Sequence, residues 1–224
     1  MTHHLLIAHG SPDSRHRDTM QFVAKAVDAS LPSCQVAFLE HDTPRVSDWL
    51  ASCTGDVVAL GMLLAPGYHA TIDVPRLLDT APRSTRVDDR GPLGTGPWLN
   101  RTLDWLVEDV GGTARTPVVL AVAGSTRSSA QQSLRRFVTQ WQDTRPGAVQ
   151  LAAATGPGRS LHDVTAAVAS EPGDPVPVVL PLMVAPGVLA DRARAVASAH
   201  GLLTTGALAD APTFADAVIE RLSA

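Results

Sequence analysis

The chain has 224 residues, of which 45% are apolar and 18% charged, values that suit a soluble globular protein of one large or two small domains. Its formal net charge is −4 and no block of like charge stands out, so the basic face needed to hold nucleic acid is missing and no nucleic-acid partner is expected. No apolar run approaches the ~20 residues of a membrane span. The two cysteines, Cys34 and Cys53, make neither a CxxC pair nor a disulfide framework, which points to a reducing cytoplasm.

Aromatic residues are only 4% of the chain, so the core must be built from Ala, Val and Leu. The first strand is expected over 3–8, which leaves no room for a signal peptide. It ends in His9-Gly10-Ser11, and a helix over 14–30 follows, with Met20, Phe22, Val23, Ala26, Val27 and Leu31 as its apolar stripe. A second strand is expected over 35–40. Pro44 then suits the start of a helix over 44–53. A strand over 56–61, a loop from Met62 to His69, a helix over 70–80 and a short strand at 85–87 come next. Gly91 to Pro97 reads as a loop, and 98–110 as a helix.

The pattern then restarts. Strands are expected over 117–123, 149–153 and 176–182, and helices over 128–142, 160–169, 188–199 and 212–222. Ala8-His9-Gly10-Ser11 is echoed by Val122-Ala123-Gly124-Ser125, and Ala65-Pro66-Gly67 by Ala185-Pro186-Gly187. This predicts an α/β protein of two lobes, 1–112 and 113–224, each a parallel sheet flanked by helices.

The repeat works as an internal control. Residues shared by both halves serve the backbone, whereas residues present in one half only are candidates for chemistry. His9 corresponds to Ala123, His69 to Leu189, and Glu40 falls near Ala153. All three sit at or just past the carboxyl end of a strand, where open α/β sheets place their ligands. Two imidazoles and a carboxylate suit a divalent transition metal, and so few protein ligands leave positions open for transfer or catalysis. An imidazole can also take up a proton.

At these residues the chain resembles the sirohydrochlorin chelatases of the CbiX/SirB type. The matching pieces are Ala8-His9-Gly10-Ser11-Pro12-Asp13-Ser14-Arg15, Phe38-Leu39-Glu40, Leu64 to Pro75 with its Gly-x-His-x-x-x-Asp-Val-Pro pattern, and Gly91-Pro92-Leu93-Gly94. The resemblance spans 3–110, and the second half shares the framework only. It implies two flavodoxin-like, chelatase-like lobes and a lyase that inserts Co²⁺ or Fe²⁺, with Ni²⁺ among relatives, into a tetrapyrrole for cobalamin or sirohaem. The metal is then a substrate, and no organic cofactor is expected. His9 and His69 would bind the ion, and Glu40 would assist metal binding or proton removal. Ser11, Arg15, Tyr68, Arg76 and Arg127 are the substrate-binding candidates, the arginines for the macrocycle's carboxylates. Arg17 and Arg192 are further rim candidates. The chain departs from the family at Pro12, where Arg is usual, at Tyr68, where a small residue is common, and at Gly96, where His is common. A monomer that does not engage a membrane is expected. A metal or tetrapyrrole carrier without turnover is the alternative; a phosphate-ester hydrolase using His9 fits less well, since no Arg-His-Gly motif is present.

Overall fold

In the computed structural model, which describes every residue except Pro172 and Asp174, the strand–helix alternation forms two units, 1–94 with 212–224, and 95–211. The first contains β1 (Thr2–Ala8), α1 (Ser14–Asp28), β2 (Cys34–Phe38), α2 (Val46–Ser52), β3 (Asp56–Gly61), a π turn (His69–Asp73) running into α3 (Val74–Leu78), and β4 (Val87–Pro92). Its four strands are parallel, in the order β2-β1-β3-β4. β1 lies inside the sheet and Leu5 to Ala8 are wholly buried, which is why it reads as an unbroken apolar run. Leu5, Ile7, Ala37, Val57 and Ala59 of the sheet pack on Val46, Trp49 and Leu50 of α2 and on Val74 and Leu78 of α3.

The second unit contains α4 (Pro97–Asp109), β5 (Val118–Ala123), α5 (Ser128–Gln142), β6 (Val149–Thr155), α6 (Leu161–Ser170), β7 (Val178–Pro181), α7 (Val188–Ala199) and β8 (Leu203–Thr204), then a 3-10 turn (Leu208–Asp210). Its parallel order, β6-β5-β7-β8, repeats that of the first unit. α8 (Phe214–Ser223) returns to the first unit, where it contacts α1 and β3. Arg221 Nη2 donates there to the carbonyls of Arg90 and Pro92, at 2.8 and 3.3 Å.

The repeat predicts a division at 112/113; the compact units divide elsewhere. The helix after β4, α4, packs beside β7 and the 3-10 turn of the second unit, whereas the helix after β8 packs in the first. Each buries an ordinary apolar stripe (Leu99, Leu103 and Leu106 on α4; Phe214, Val218 and Leu222 on α8), and a stripe does not record which sheet it covers.

Other differences have local causes. β4 runs to Pro92, through residues expected in a loop. It is an edge strand with a register shift opposite Ala59/Gly61 and a left-handed Gly91 (φ 68°), so it lacks a strand's usual alternation. Phe22 is exposed, because the buried stripe of α1 is Met20, Val23, Ala24 and Val27. α2 starts at Val46, and Pro44 lies ahead of its N-cap Arg45, its carbonyl accepting from the Phe38 amide at 2.9 Å. Among the described residues no helix is long and apolar enough to cross a membrane, and both cysteines are free.

Candidate metal centre

The site is built where β1, β2 and β3, neighbours in the first sheet, end. His9 is the first residue after β1. Gly10 follows with φ 91°, and a Cβ there would stand 1.8 Å from the Glu40 carbonyl oxygen, so only glycine fits. The Glu40 amide donates to the His9 carbonyl at 2.8 Å. The Ser11 amide donates to the buried carboxylate of Asp42 at 3.1 Å. The turn is thus tied to the end of β2, and α1 starts at once on its N-cap Asp13.

His69 opens the π turn after β3. The ring of Pro75 would crowd the carbonyl four residues back in a regular helix, and the turn is widened instead, the Val74 amide donating to the His69 carbonyl. In the second unit Ala195 stands at the matching position and α7 is an ordinary α-helix.

The two imidazoles meet: His9 Nε2 and His69 Nε2 are 3.2 Å apart, and the rings lie edge to face. His9 Nδ1 donates to the Gly10 carbonyl at 3.0 Å. His69 Nδ1 donates to the Asp73 carboxylate at 2.7 Å. Both partners are acceptors, so both Nδ1 atoms carry a hydrogen, and in the neutral rings it is Nε2 that presents the lone pair. Two such lone pairs at that distance repel unless a proton or a metal ion lies between them. With metal–nitrogen bonds of about 2.1 Å, a separation of 3.2 Å corresponds to an N–metal–N angle of about 100°.

Glu40 stays apart from this pair. Its half-exposed carboxylate faces His41 instead, Oε2 to Nε2 3.6 Å. Among the described residues no three His, Cys, Asp or Glu side chains converge on one ion, so the pair would leave most of the metal's coordination positions open. His16 of α1 also lies near. Burial pushes its imidazole pKa down, the Asp42 charge opposes that, and His9 adds to it.

Residues 3–110 match the CbiX family. The CbiX match takes in β1 from its second residue, all of β2 to β4 and the His9–His69 pair, and it ends one residue past α4. No curated protein matches the sequence. Among solved structures, SirB from Bacillus subtilis with Fe³⁺ superposes with a TM-score of 0.84 at 18% identity, over 99% of this chain and 94% of its own. SirB from Bacillus subtilis subspecies spizizenii in complex with cobalt gives 0.79 at 17% identity, over 99% and 94%. CbiX, described as the terminal enzyme for siroheme biosynthesis in denitrifying bacteria, gives 0.75 at 20% identity, over 99% and 98%. At such identities these likenesses establish the fold, that of chelatases with two parallel four-stranded sheets flanked by helices.

The remaining sequence candidates within the CbiX match are scattered. Tyr68 is half exposed, edge-on to His69 with centroids 6.1 Å apart. Arg76 is exposed on α3. Arg15 is held by Asp13, its Nε donating at 3.0 Å, and this guanidinium holds the Asp13 carboxyl at a pKa of about 2. Ser11 Oγ accepts from the Asp13 amide at 3.1 Å, just as Ser125 Oγ accepts from the Arg127 amide at 3.2 Å, so this serine serves the backbone in both units. Arg127 belongs to the second unit, as the N-cap of α5.

One pairing needs correction. Glu40 matches Thr155, not Ala153: Phe38 and Ala153 make the same bridge to Arg45 and Ser160, and a Cβ added at Gly10 or Gly124 would meet the carbonyl oxygen of Glu40 or Thr155 at the same 1.8 Å. A register shift at Val122/Ala123 displaces the apparent alignment. Sequence reading also gave no role to Asp73 or Asp42. The His-x-x-x-Asp spacing was the available signal for Asp73; for Asp42 there was none, since the side chain reaches back across the end of β1.

Proposed function

We propose that this chain inserts a divalent metal ion, Co²⁺ or Fe²⁺ with Ni²⁺ as a third candidate, into sirohydrochlorin or a closely related tetrapyrrole, as a lyase of sirohaem or cobalamin synthesis. The observation that carries the reading is the His9–His69 pair, whose two Nε2 atoms converge at 3.2 Å, with each Nδ1 held by an acceptor, an arrangement suited to holding a metal ion between them. The CbiX match and the fold shared with SirB proteins that hold Fe³⁺ or cobalt support it.

In this reading the ion is a substrate, and no organic cofactor takes part. His9 and His69 replace two waters of the hydrated ion and leave its other positions to the ring nitrogens. Insertion releases two pyrrolic protons, which need acceptors at the site. The Glu40 carboxylate is one such acceptor or a further, transient ligand. Tyr68 offers an aromatic surface to the macrocycle and Arg76 a cation to its carboxylates. The chain works as a monomer in a reducing cytoplasm.

The test is anaerobic absorbance spectroscopy of sirohydrochlorin with each metal in turn, comparing the native chain with His9→Ala and His69→Ala. A metal-dependent spectral change well above the uncatalysed rate, reduced at least about 100-fold in both variants, is expected. No acceleration with any metal, together with tight binding of metal or macrocycle, would replace the enzyme by a carrier.

A further inference from the structure

His41 stands one residue past Glu40, with φ 63°. Side chains adopt this left-handed backbone only at a cost, and glycine is the usual occupant. The second unit supplies the comparison. Thr155 is the counterpart of Glu40, so the next residue, Gly156, is the counterpart of His41, and its φ is 67°. The fold therefore demands a left-handed residue here in both units, and the second meets the demand with glycine. Space is not the reason for that glycine, because a Cβ on Gly156 would meet nothing nearer than 3.8 Å. The first unit keeps an imidazole against the backbone's preference, and such local strain gathers at working sites.

The imidazole faces useful neighbours. Its Nε2 is 3.6 Å from Glu40 Oε2, close to the separation of two donors on one metal ion. Its ring centroid is 6.4 Å from that of His9. Both side chains are open to solvent, 44% for His41 and 52% for Glu40, whereas His69 is 37% exposed. Four donors thus fall into two pairs, an outer Glu40–His41 and an inner His9–His69, rather than one cage of three or more among the described residues.

We propose that His41 is a metal-binding residue, forming with Glu40 an outer station that takes the divalent ion from solvent and passes it to His9 and His69. The proposal rests on the metal-handling reading of the His9–His69 pair. A hydrated ion exchanges ligands in steps, and a carboxylate beside one imidazole can hold it loosely while waters remain. His9, in ring contact with both His41 and His69, is the group onto which the ion moves.

The test uses Co²⁺ alone with the full-length chain, without macrocycle, so its outcome is independent of whether insertion occurs. His41→Gly installs the residue that Gly156 shows the backbone to favour, so its melting temperature should equal or exceed that of the native chain. Stopped-flow absorbance should show Co²⁺ loading slowed about tenfold in His41→Gly. The His9→Ala/His69→Ala double variant should keep weak Co²⁺ uptake, and adding His41→Gly should abolish it. Native loading rates in His41→Gly, or no Co²⁺ uptake by the double variant, would overturn the station and leave His41 as a partner of Glu40 only. Failure of the insertion reading would show instead as normal Co²⁺ loading without any change in sirohydrochlorin.

Discussion

The two sheets share their strand order and the way their central strand ends. In both, a glycine after that strand lies under a carbonyl that leaves no room for a Cβ, and a serine hydroxyl accepts the amide two residues on. In both, the residue after the third strand's end donates back to the central strand at 2.7 Å, Met62 to Ile7 and Leu182 to Ala121. The side chains hung on this frame differ. His9, His69, Asp73 and Pro75 of the first unit correspond in the repeat to Ala123, Leu189, Ala193 and Ala195 of the second. Leu189 packs against its own unit's apolar core, whereas His69 turns to His9 and Asp73. What the backbone requires is therefore duplicated, and what the chemistry requires is not.

The comparison is broken most directly at the glycines. Gly10→Ala and Gly124→Ala should each cost about 4 kcal/mol or more in urea unfolding, since each forces a Cβ against a carbonyl. A large loss at only one of them would end the claim of a shared frame. Asp73→Ala should weaken Co²⁺ binding about 10- to 100-fold by freeing the His69 ring. Asp73→Asn, which keeps an acceptor for Nδ1, should lose less. Pro75→Ala, which copies Ala195, should let the π turn tighten towards the α-helix of the second unit. It should raise the melting temperature and weaken Co²⁺ binding by no more than about tenfold.

The smallest effect concerns His16, whose counterpart is the buried Ala130. Its folded pKa is lowered by burial, against Asp42 and with His9, so the folded chain binds fewer protons than the unfolded one just below the ordinary histidine value. The stabilisation is complete above a pH of about 6.5 and is lost as pH falls from there through the depressed folded value. His16→Ala should flatten that part of the melting-temperature profile, a change of about 2 °C or less. An unaltered slope would remove His16 from the account.

The His9–His69 pair was legible because the repeat made its loss visible, and because strand ends one register apart in a parallel sheet must be neighbours. Glu40 was found at its strand end, but its partner was not. The direction of an exposed carboxylate depends on a left-handed residue beside it, and His41 gives no sign of that in sequence. Asp73 lies within a motif visible in the sequence, but its reach to Nδ1 depends on the turn that Pro75 widens, which the sequence does not show. The helices over 128–142 and 188–199 agree with expectation to the residue, each having one clear stripe and clear ends. The exchange of α4 and α8 left no trace, because either stripe would suit either sheet.

That exchange bears on how the chain is made. The second unit is one continuous stretch, complete once residue 211 has left the ribosome. The first unit begins earlier but must wait for α8, whose Phe214, Val218 and Leu222 are buried and whose Arg221 closes on the carbonyls of Arg90 and Pro92. Completion thus runs opposite to synthesis, against the usual N-terminal-first course. Until α8 has been made, the flank of β3 that it covers lacks its partner helix. A chain cut short before α8 would pair a finished second unit with a first unit, the one that carries His9 and His69, whose sheet is left uncovered.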